Sequence, residues 1–290
     1  MSEAGEQAIS GVKQCCALAY GSDAARFLLG DSFHPGGVEL TLELCHLLKL
    51  SDESVLLDVA SGKGTSAFAV AEQFGCRVTG IDLSHANVEA SNAEAVKRGL
   101  QERVSFRLAD AEALPFEVSS FDAILCECAF CTFPNKAIAA SEFARVLRAG
   151  GRVGISDLTR VRGPLPELDG LLAWIACIGD AQPLESYVDW LARAGFSIAA
   201  SGTRNECLAT MVEQIRSKIL LADIMVGLKK LELPGLDIQQ AKQFANAARD
   251  AVKQNKLGYA LVVGELVSIW GPVRKRTIEH VSVSAAHHSR

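Results

Sequence analysis

The sequence predicts an α/β fold built on a doubly wound, largely parallel sheet, and three adjacent stretches carry that expectation. Val55–Val59 is a short apolar run that ends in a small, glycine-rich segment, Ala60–Gly64. A helix-like stretch, Thr65–Phe74, follows, and a second apolar run, Val78–Ile81, is closed by Asp82. Strand, glycine turn, helix and a strand ending in an acid form the mononucleotide-binding half of such a sheet. Small residues at Ala60, Gly62 and Gly64 let the backbone approach a ligand closely. The helix beyond them aims its positive end at the same place. Asp82 can accept hydrogen bonds from both hydroxyls of a ribose, so the expected ligand is an adenosine-containing cofactor.

The turn reads Asp58-Val-Ala-Ser-Gly-Lys-Gly, with an acid ending the first strand and Ala60 where a dinucleotide site has its first glycine. That departure from GxGxxG argues against a nicotinamide oxidoreductase. A third strand-like run, Val104–Leu108, leads into Ala109-Asp-Ala-Glu-Ala-Leu-Pro-Phe, where an acid can accept from an adenine amino group. Five segments in this order, DVASGKG, GIDLS, ADAEALPF, FDAILCE and LRAGGRVGISD, resemble the class I S-adenosylmethionine-dependent methyltransferases over Val55 to Phe196. The resemblance implies a seven-stranded Rossmann-like sheet, with S-adenosylmethionine as cofactor and S-adenosylhomocysteine as product. It places Asp82 on the ribose, Asp110 on the adenine edge, and Ala60, Ser61 and Gly62 under the methionine part. Leu83 and Ala111 lie against the adenine faces, and Asp58, Gly64, Asn87, Glu112 and Cys126 complete the cofactor set.

Composition narrows the setting. A chain of 290 residues holds one large domain with at most a small appendage. A net charge of −5 without a basic run argues against nucleic acid or an anionic membrane surface as partner. No run approaches twenty apolar residues, and MSEAGEQAIS lacks a basic region followed by an apolar one, so a cytoplasmic location is expected. Nine cysteines would then be thiols. Cys128-Ala-Phe-Cys131 is half of a zinc pattern without its other half, so no structural metal is expected.

The remaining elements follow in order. Residues 1–50 read as helical, with apolar spacing through Ala17–Leu29 and Val38–Leu50 around the loop Gly30-Asp-Ser-Phe-His-Pro-Gly-Gly. In the resembled family an N-terminal segment folds over the cofactor as a lid, which would bring Phe33 and His34 to methionine or substrate; a plain helix connection is the alternative. The expected core spans residues 51–206. Within it, Ala86–Arg98 is a helix ended by Gly99, Phe121–Cys126 a fourth strand, Asn135–Leu147 a helix stopped by Gly150-Gly151, and Arg152–Ser156 a fifth strand. Leu171–Ile178 and Leu184–Ala194 read as helices, and Phe196–Ala200 as the sixth strand. Residues 207–257, with helical spacing over Met211–Lys230 and Ile238–Gln254 split by Pro234-Gly235, form an insertion before the last strand, Tyr259–Leu266, within 258–270. It could shape the substrate pocket or form a homodimer interface. Residues 271–290 are a tail.

In an open α/β sheet the ligand lies beyond the carboxyl ends of the strands. The fourth strand ends in Cys126, Glu127, Cys128 and Cys131, and Trp174-Ile-Ala-Cys177 stands ahead of the helix closed by Ala194-Gly195-Phe196. These two places resemble the arsenite methyltransferases. The resemblance implies that Cys128 and Cys177 hold trivalent arsenic as thiolates, a soft metalloid on soft ligands, its lone pair facing the sulfonium methyl. No general base is then needed. The chain departs from that family near its N-terminus, where GDSFHPGG stands in place of a cysteine and Cys15-Cys16 does not align. Cys45, Cys76 and Cys207 are expected to pack as small hydrophobes. The alternative enzyme reading is C-, O- or N-methylation of a hydrophobic metabolite with Glu127 or His34 as base. A non-catalytic cofactor-binding protein is the reading from another class, opposed by the intact glycine turn and acids.

Overall fold

The computed structural model describes residues 34–170, 173, 176–227 and 237–267. Its centre is a seven-stranded sheet in the order β3-β2-β1-β4-β5-β7-β6. The strands are β1 (Val55–Val59), β2 (Arg77–Asp82), β3 (Val104–Leu108), β4 (Phe121–Glu127), β5 (Leu147–Arg160), β6 (Phe196–Thr203) and β7 (Leu257–Leu266). β1 to β5 run parallel, while β7 is antiparallel to both β5 and β6. β1 and β4 sit centrally and are covered on both faces, which is why VLLDV and FDAILC read as nearly unbroken apolar runs.

The helices are α1 (Gly37–Leu47), α2 (Thr65–Phe74), α3 (His85–Lys97), α4 (Lys136–Val146), α5 (Leu184–Arg193), α6 (Asn205–Gly227) and α7 (Ile238–Lys253). α2 starts from Gly64, whose φ of 76° is left-handed and where a Cβ would meet the Phe106 ring at 2.5 Å. Only glycine meets both demands without strain. The main core joins α1, α2 and α4 to the sheet through residues such as Leu44, Phe68, Ile124, Phe143 and Val263.

Two boundaries differ from the expectation. The helix after β4 ends at Val146 and is not stopped by Gly150-Gly151. The glycines instead punctuate β5, which pairs with β4 at Leu147, leaves the ladder, and re-enters at Arg152. β5 also continues past Ser156 to Arg160, because antiparallel β7 keeps pairing with it from Arg152 through Arg160. α6 and α7 lie between β6 and β7 as the insertion requires. They pack on each other through Ile219, Ala241 and Ala245, and α7 adds Ala248 and Ala251 to the main core.

The expectations over Ala17–Leu29, Cys15, Cys16, Phe33, Pro234-Gly235 and the tail lie outside the described residues, as do residues 171, 172, 174 and 175 of the expected helix Leu171–Ile178. Within that stretch Ala173 is helical, while Ala176 and Cys177 form a turn. Among the described residues no helix is long and apolar enough to cross a membrane.

Candidate active site

The carboxyl ends of β1 and β2 build one side of the site. Ala60, just past β1, has a φ of 57°, and Gly62 a φ of 55°. The left-handed region costs a residue with a Cβ about 1–2 kcal/mol, so Ala60 holds the turn at an expense that glycine would avoid. Ser61 ties the turn to β2 by donating its N–H to the Ile81 carbonyl at 2.9 Å. Gly62 donates its N–H to Asp82 Oδ2 at 2.9 Å. Asp82 Oδ1 accepts from Ser84 N at 2.8 Å and from Asn87 Nδ2 at 3.3 Å. Burial raises the Asp82 carboxyl, against the pull of the bonds from Ser84, Gly62 and Asn87. Asn87 is buried, and Ser84 caps its helix by accepting from Asn87 N. Asn87 therefore orients Asp82.

A carboxylate offers roughly four lone-pair positions, so Asp82 keeps acceptor capacity beyond these three bonds. Beside it Leu83 is 44 % exposed and Leu108 at the end of β3 is 54 % exposed, an apolar ledge at the sheet's edge. Asp110 Oδ1 accepts from Glu112 N at 3.0 Å, fixing the turn after β3, and Ala111 is buried within it. Glu112 Oε1 accepts from Asn135 N at 3.0 Å and braces the turn against the start of α4. Behind the glycine turn, Asp58 is almost fully buried and its Oδ2 has no hydrogen-bond partner among the described residues. Burial, then the Glu127 and Asp82 charges, push its carboxyl well up. An unmet buried acceptor, an acid with spare lone pairs and an apolar ledge fit a nucleoside that carries a cationic amino-acid tail.

The ends of β4 and β5 build the other side. Glu127 is buried and its carboxylate is ringed by donors. Thr41 Oγ1 donates to both oxygens at 3.2 and 3.0 Å, Ser66 Oγ donates at 2.7 Å and Ser156 Oγ at 3.4 Å. His34 Nε2 stands 3.5 Å from Oε2, and Tyr259 donates its hydroxyl to Ser156 Oγ at 3.0 Å. Glu127 and His34, the candidate bases if the acceptor is a hydrophobic metabolite, both have buried side chains turned into this cluster. Thr41, Ser66, Ser156 and Tyr259 carried no signal in the sequence, since each comes from a different element.

Cys128 and Cys177 do meet, although 49 residues separate them. Cys177 Sγ donates to the Cys128 carbonyl at 3.2 Å, and Cys131 Sγ donates to the Cys177 carbonyl at 3.2 Å. Both Cys128 (φ 50°) and Cys177 (φ 59°) are left-handed, a conformation that non-glycine residues hold only where their surroundings impose it. The Cys177 thiol beside it, and then burial, push the Cys128 thiol well up. Cys131 N donates to Asp157 Oδ2 at 2.8 Å, and burial raises the Asp157 carboxyl to about 7. Cys126 is 0 % exposed within the sheet. Cys45 and Cys76 are buried and Cys207 half-buried, all in the core as expected. Among the described residues no group of three or more His, Cys, Asp or Glu is arranged to hold a metal ion.

Comparison with known proteins gives the family. A family model described as a methyltransferase domain matches residues 57–155. The O-methyltransferase cnsE of Penicillium expansum is 30 % identical over 261 residues, covering 84 % of this chain and 88 % of that one. The chain belongs to the class I S-adenosylmethionine-dependent methyltransferases. Methyltransferase GfsG of Streptomyces halstedii is 36 % identical over 138 residues, 48 % of this methyltransferase and 49 % of that one, so the chain matches about half the length of this relative. The solved structure of Haemonchus contortus phosphoethanolamine N-methyltransferase 2 with S-adenosyl-L-methionine shares the fold at a TM-score of 0.68 and 20 % identity, over 87 % of this chain and 57 % of that one.

Proposed function

We propose that this methyltransferase moves the methyl group of S-adenosylmethionine to a small-molecule acceptor, and that the acceptor is trivalent arsenic held by Cys128 and Cys177. The observation that carries the acceptor is the meeting of these two residues at the carboxyl ends of β4 and β5, with Cys177 Sγ 3.2 Å from the Cys128 carbonyl. S-adenosylmethionine, when bound, supplies an electrophilic methyl on a sulfonium. The chain's own residues do the rest. Asp82, oriented by Asn87 and by the Gly62 and Ser84 amides, takes the ribose, and Asp58 faces the amino-acid tail. Leu83 and Leu108 give the adenine an apolar ledge.

Raised thiols suit this acceptor. Two Cys–SH groups and As(OH)3 condense to a dithiolate As–OH with release of two waters, so neither thiol must first ionise. Soft sulfur ligands hold the arsenic pyramidal, with its lone pair available to the methyl group. Positioning, rather than proton transfer, is then the main contribution of the site. Glu127, with its oxygens engaged by Thr41, Ser66 and Ser156, is not required as a base. The same reading takes the protein to work in a reducing cytoplasm, where the seven described cysteines, none in a disulfide, stay reduced.

The relationship to cnsE favours a second reading, O- or C-methylation of a hydrophobic metabolite. Calorimetric titration of the reduced protein with trivalent arsenic, with and without S-adenosylhomocysteine, separates the two. Binding that disappears in Cys128→Ser and in Cys177→Ser is the expected result. Nucleoside binding without arsenic binding would remove arsenic as the acceptor and favour the metabolite. Absence of both would favour a non-catalytic role.

A further inference from the structure

Lys136 is an anomaly on grounds of burial and charge. It is the first residue of α4, where the helix dipole is positive and a cation is disfavoured. Its side chain is 4 % exposed, a degree of burial that lysine seldom accepts without a specific partner. A methionine or leucine there would avoid removing an ammonium from water. What the ammonium touches explains its presence. Nζ donates to the Phe133 carbonyl at 3.0 Å and to Asp180 Oδ2, and lies 5.7 Å from the centre of the Trp190 ring.

Phe133 and Asp180 belong to the two segments that carry the thiols. Phe133 closes the single 3-10 turn Phe130–Thr132 that follows Cys128. Asp180 lies three residues after Cys177. Gln182 Nε2 also donates to Asp180 Oδ1 at 3.0 Å, and the Gln182 carbonyl accepts from Arg160 N at 3.2 Å, which anchors that end to β5. One ammonium therefore links the Cys128 segment to the Cys177 segment. The ring closes through Cys177 Sγ on the Cys128 carbonyl and Cys131 Sγ on the Cys177 carbonyl. Both cysteines are left-handed, so each segment would relax to a commoner backbone conformation if nothing held it.

We infer that Lys136, acting through Asp180, is a positioning residue that sets Cys177 against Cys128. The inference rests on the reading of those two cysteines as ligands of the acceptor. It assigns the buried cation to acceptor binding and not to cofactor binding, whose residues lie on β1, β2 and the turn after β3.

The test compares Lys136→Met, Asp180→Asn and the double variant with the parent chain. Asp180 is 39 % exposed, so its substitution reads the contact even if loss of the buried lysine were to impair folding. Three quantities are measured on reduced protein: affinity for trivalent arsenic, affinity for S-adenosylhomocysteine, and the rate at which iodoacetamide alkylates Cys177, followed by peptide mass spectrometry. Each single variant should lose about tenfold or more in arsenic affinity, keep nucleoside affinity within about twofold and alkylate faster at Cys177. The double variant should be no worse than the poorer single one, since both remove one contact. Unchanged arsenic affinity with unchanged alkylation overturns the inference, and so do equal losses of arsenic and nucleoside affinity, which indicate general damage. If the parent chain binds the nucleoside but no arsenic, the arsenic reading falls by itself. Alkylation of Cys177 then decides the positioning role alone, faster in the variants if it stands and unchanged if it fails.

Discussion

At the ends of β1 and β2 the polar groups keep acceptor capacity in reserve, whereas at the ends of β4 and β5 they are spent on one another. Asp82 is held by two backbone amides and one side-chain amide and still has lone pairs to offer. Asp58 has a buried oxygen with no hydrogen-bond partner among the described residues. Glu127, by contrast, is encircled by three hydroxyls and His34, and Asp157 by the Cys131 and Leu158 amides. The difference separates two chemistries on one sheet. In the proposed reading, carboxylates hold the nucleoside on the first side, and on the second the thiols are left to meet the acceptor.

The comparison can be broken most forcefully at Asp157. Its carboxyl ionises at about 7 in the folded chain, because it is buried, and near ~4 in an unfolded one. Between those values the folded protein keeps a proton that the unfolded chain has released. Stability from this group is therefore full below about pH 4 and is lost as pH rises through about 7, by on the order of 4 kcal/mol in all. Asp157→Asn cannot ionise and should flatten the decline. Urea midpoints from pH 5 to pH 8 that fall equally in parent and variant would show that Asp157 is not a stored cost of the acceptor side.

Glu127→Gln comes next. Bonds from Thr41, Ser66 and Ser156 to a charged acceptor become bonds to an amide, and the new NH2 faces a ring of donors. A loss of about 2 kcal/mol is expected from the weaker acceptor alone. The pH profile of methyl transfer should keep its shape while the urea midpoint falls. Intact stability with a vanished acid limb would instead make Glu127 a base and undo the contrast between the two sides.

The two sides also differed in how far they could be read in advance, for a physical reason. Asp58, Ala60, Gly62 and Gly64 share one turn, and Asp82 and Asn87 sit one strand later, so their spacing alone brings them together. The succession of strands along the chain likewise follows from alternating apolar runs and helical stretches, with β3 matching over Val104–Leu108. The Glu127 cluster draws on α1, α2, β4, β5 and β7, and no local spacing encodes such a meeting. The full burial of Cys126 is not legible either, because alternation along a strand covered on both faces does not say which side is buried deeper. Lys136 went unnoticed because the first residue of a helix is ordinarily solvated, and its burial depends on Trp190 and Asp180, more than 40 residues away.

Asp82→Ala sharpens the cofactor side with a smaller but cleaner effect. It removes the acceptor that Gly62, Ser84 and Asn87 orient, and S-adenosylhomocysteine affinity should fall by well over tenfold, more than about 1.4 kcal/mol. Alkylation rates at Cys128 and Cys177 should stay as they are, since those thiols belong to the other side. Near-normal nucleoside binding would dismiss the assignment of Asp82 to the ribose.

The smallest expected effect lies at Ala60. Its φ of 57° costs about 1–2 kcal/mol in the folded chain. Ala60→Gly relieves that strain but enlarges the freedom of the unfolded chain by about 0.4–1 kcal/mol. The two nearly offset, leaving the variant about half a kcal/mol more stable in urea titrations, with nucleoside affinity unchanged because the turn already has the shape glycine would give it. A loss of 1 kcal/mol or more would mean that the alanine methyl contributes packing against the core that outweighs the strain. The left-handed turn would then be held by its side chain, in the manner of the acceptor side, and the contrast between the two halves would narrow at the one residue where the glycine pattern is broken.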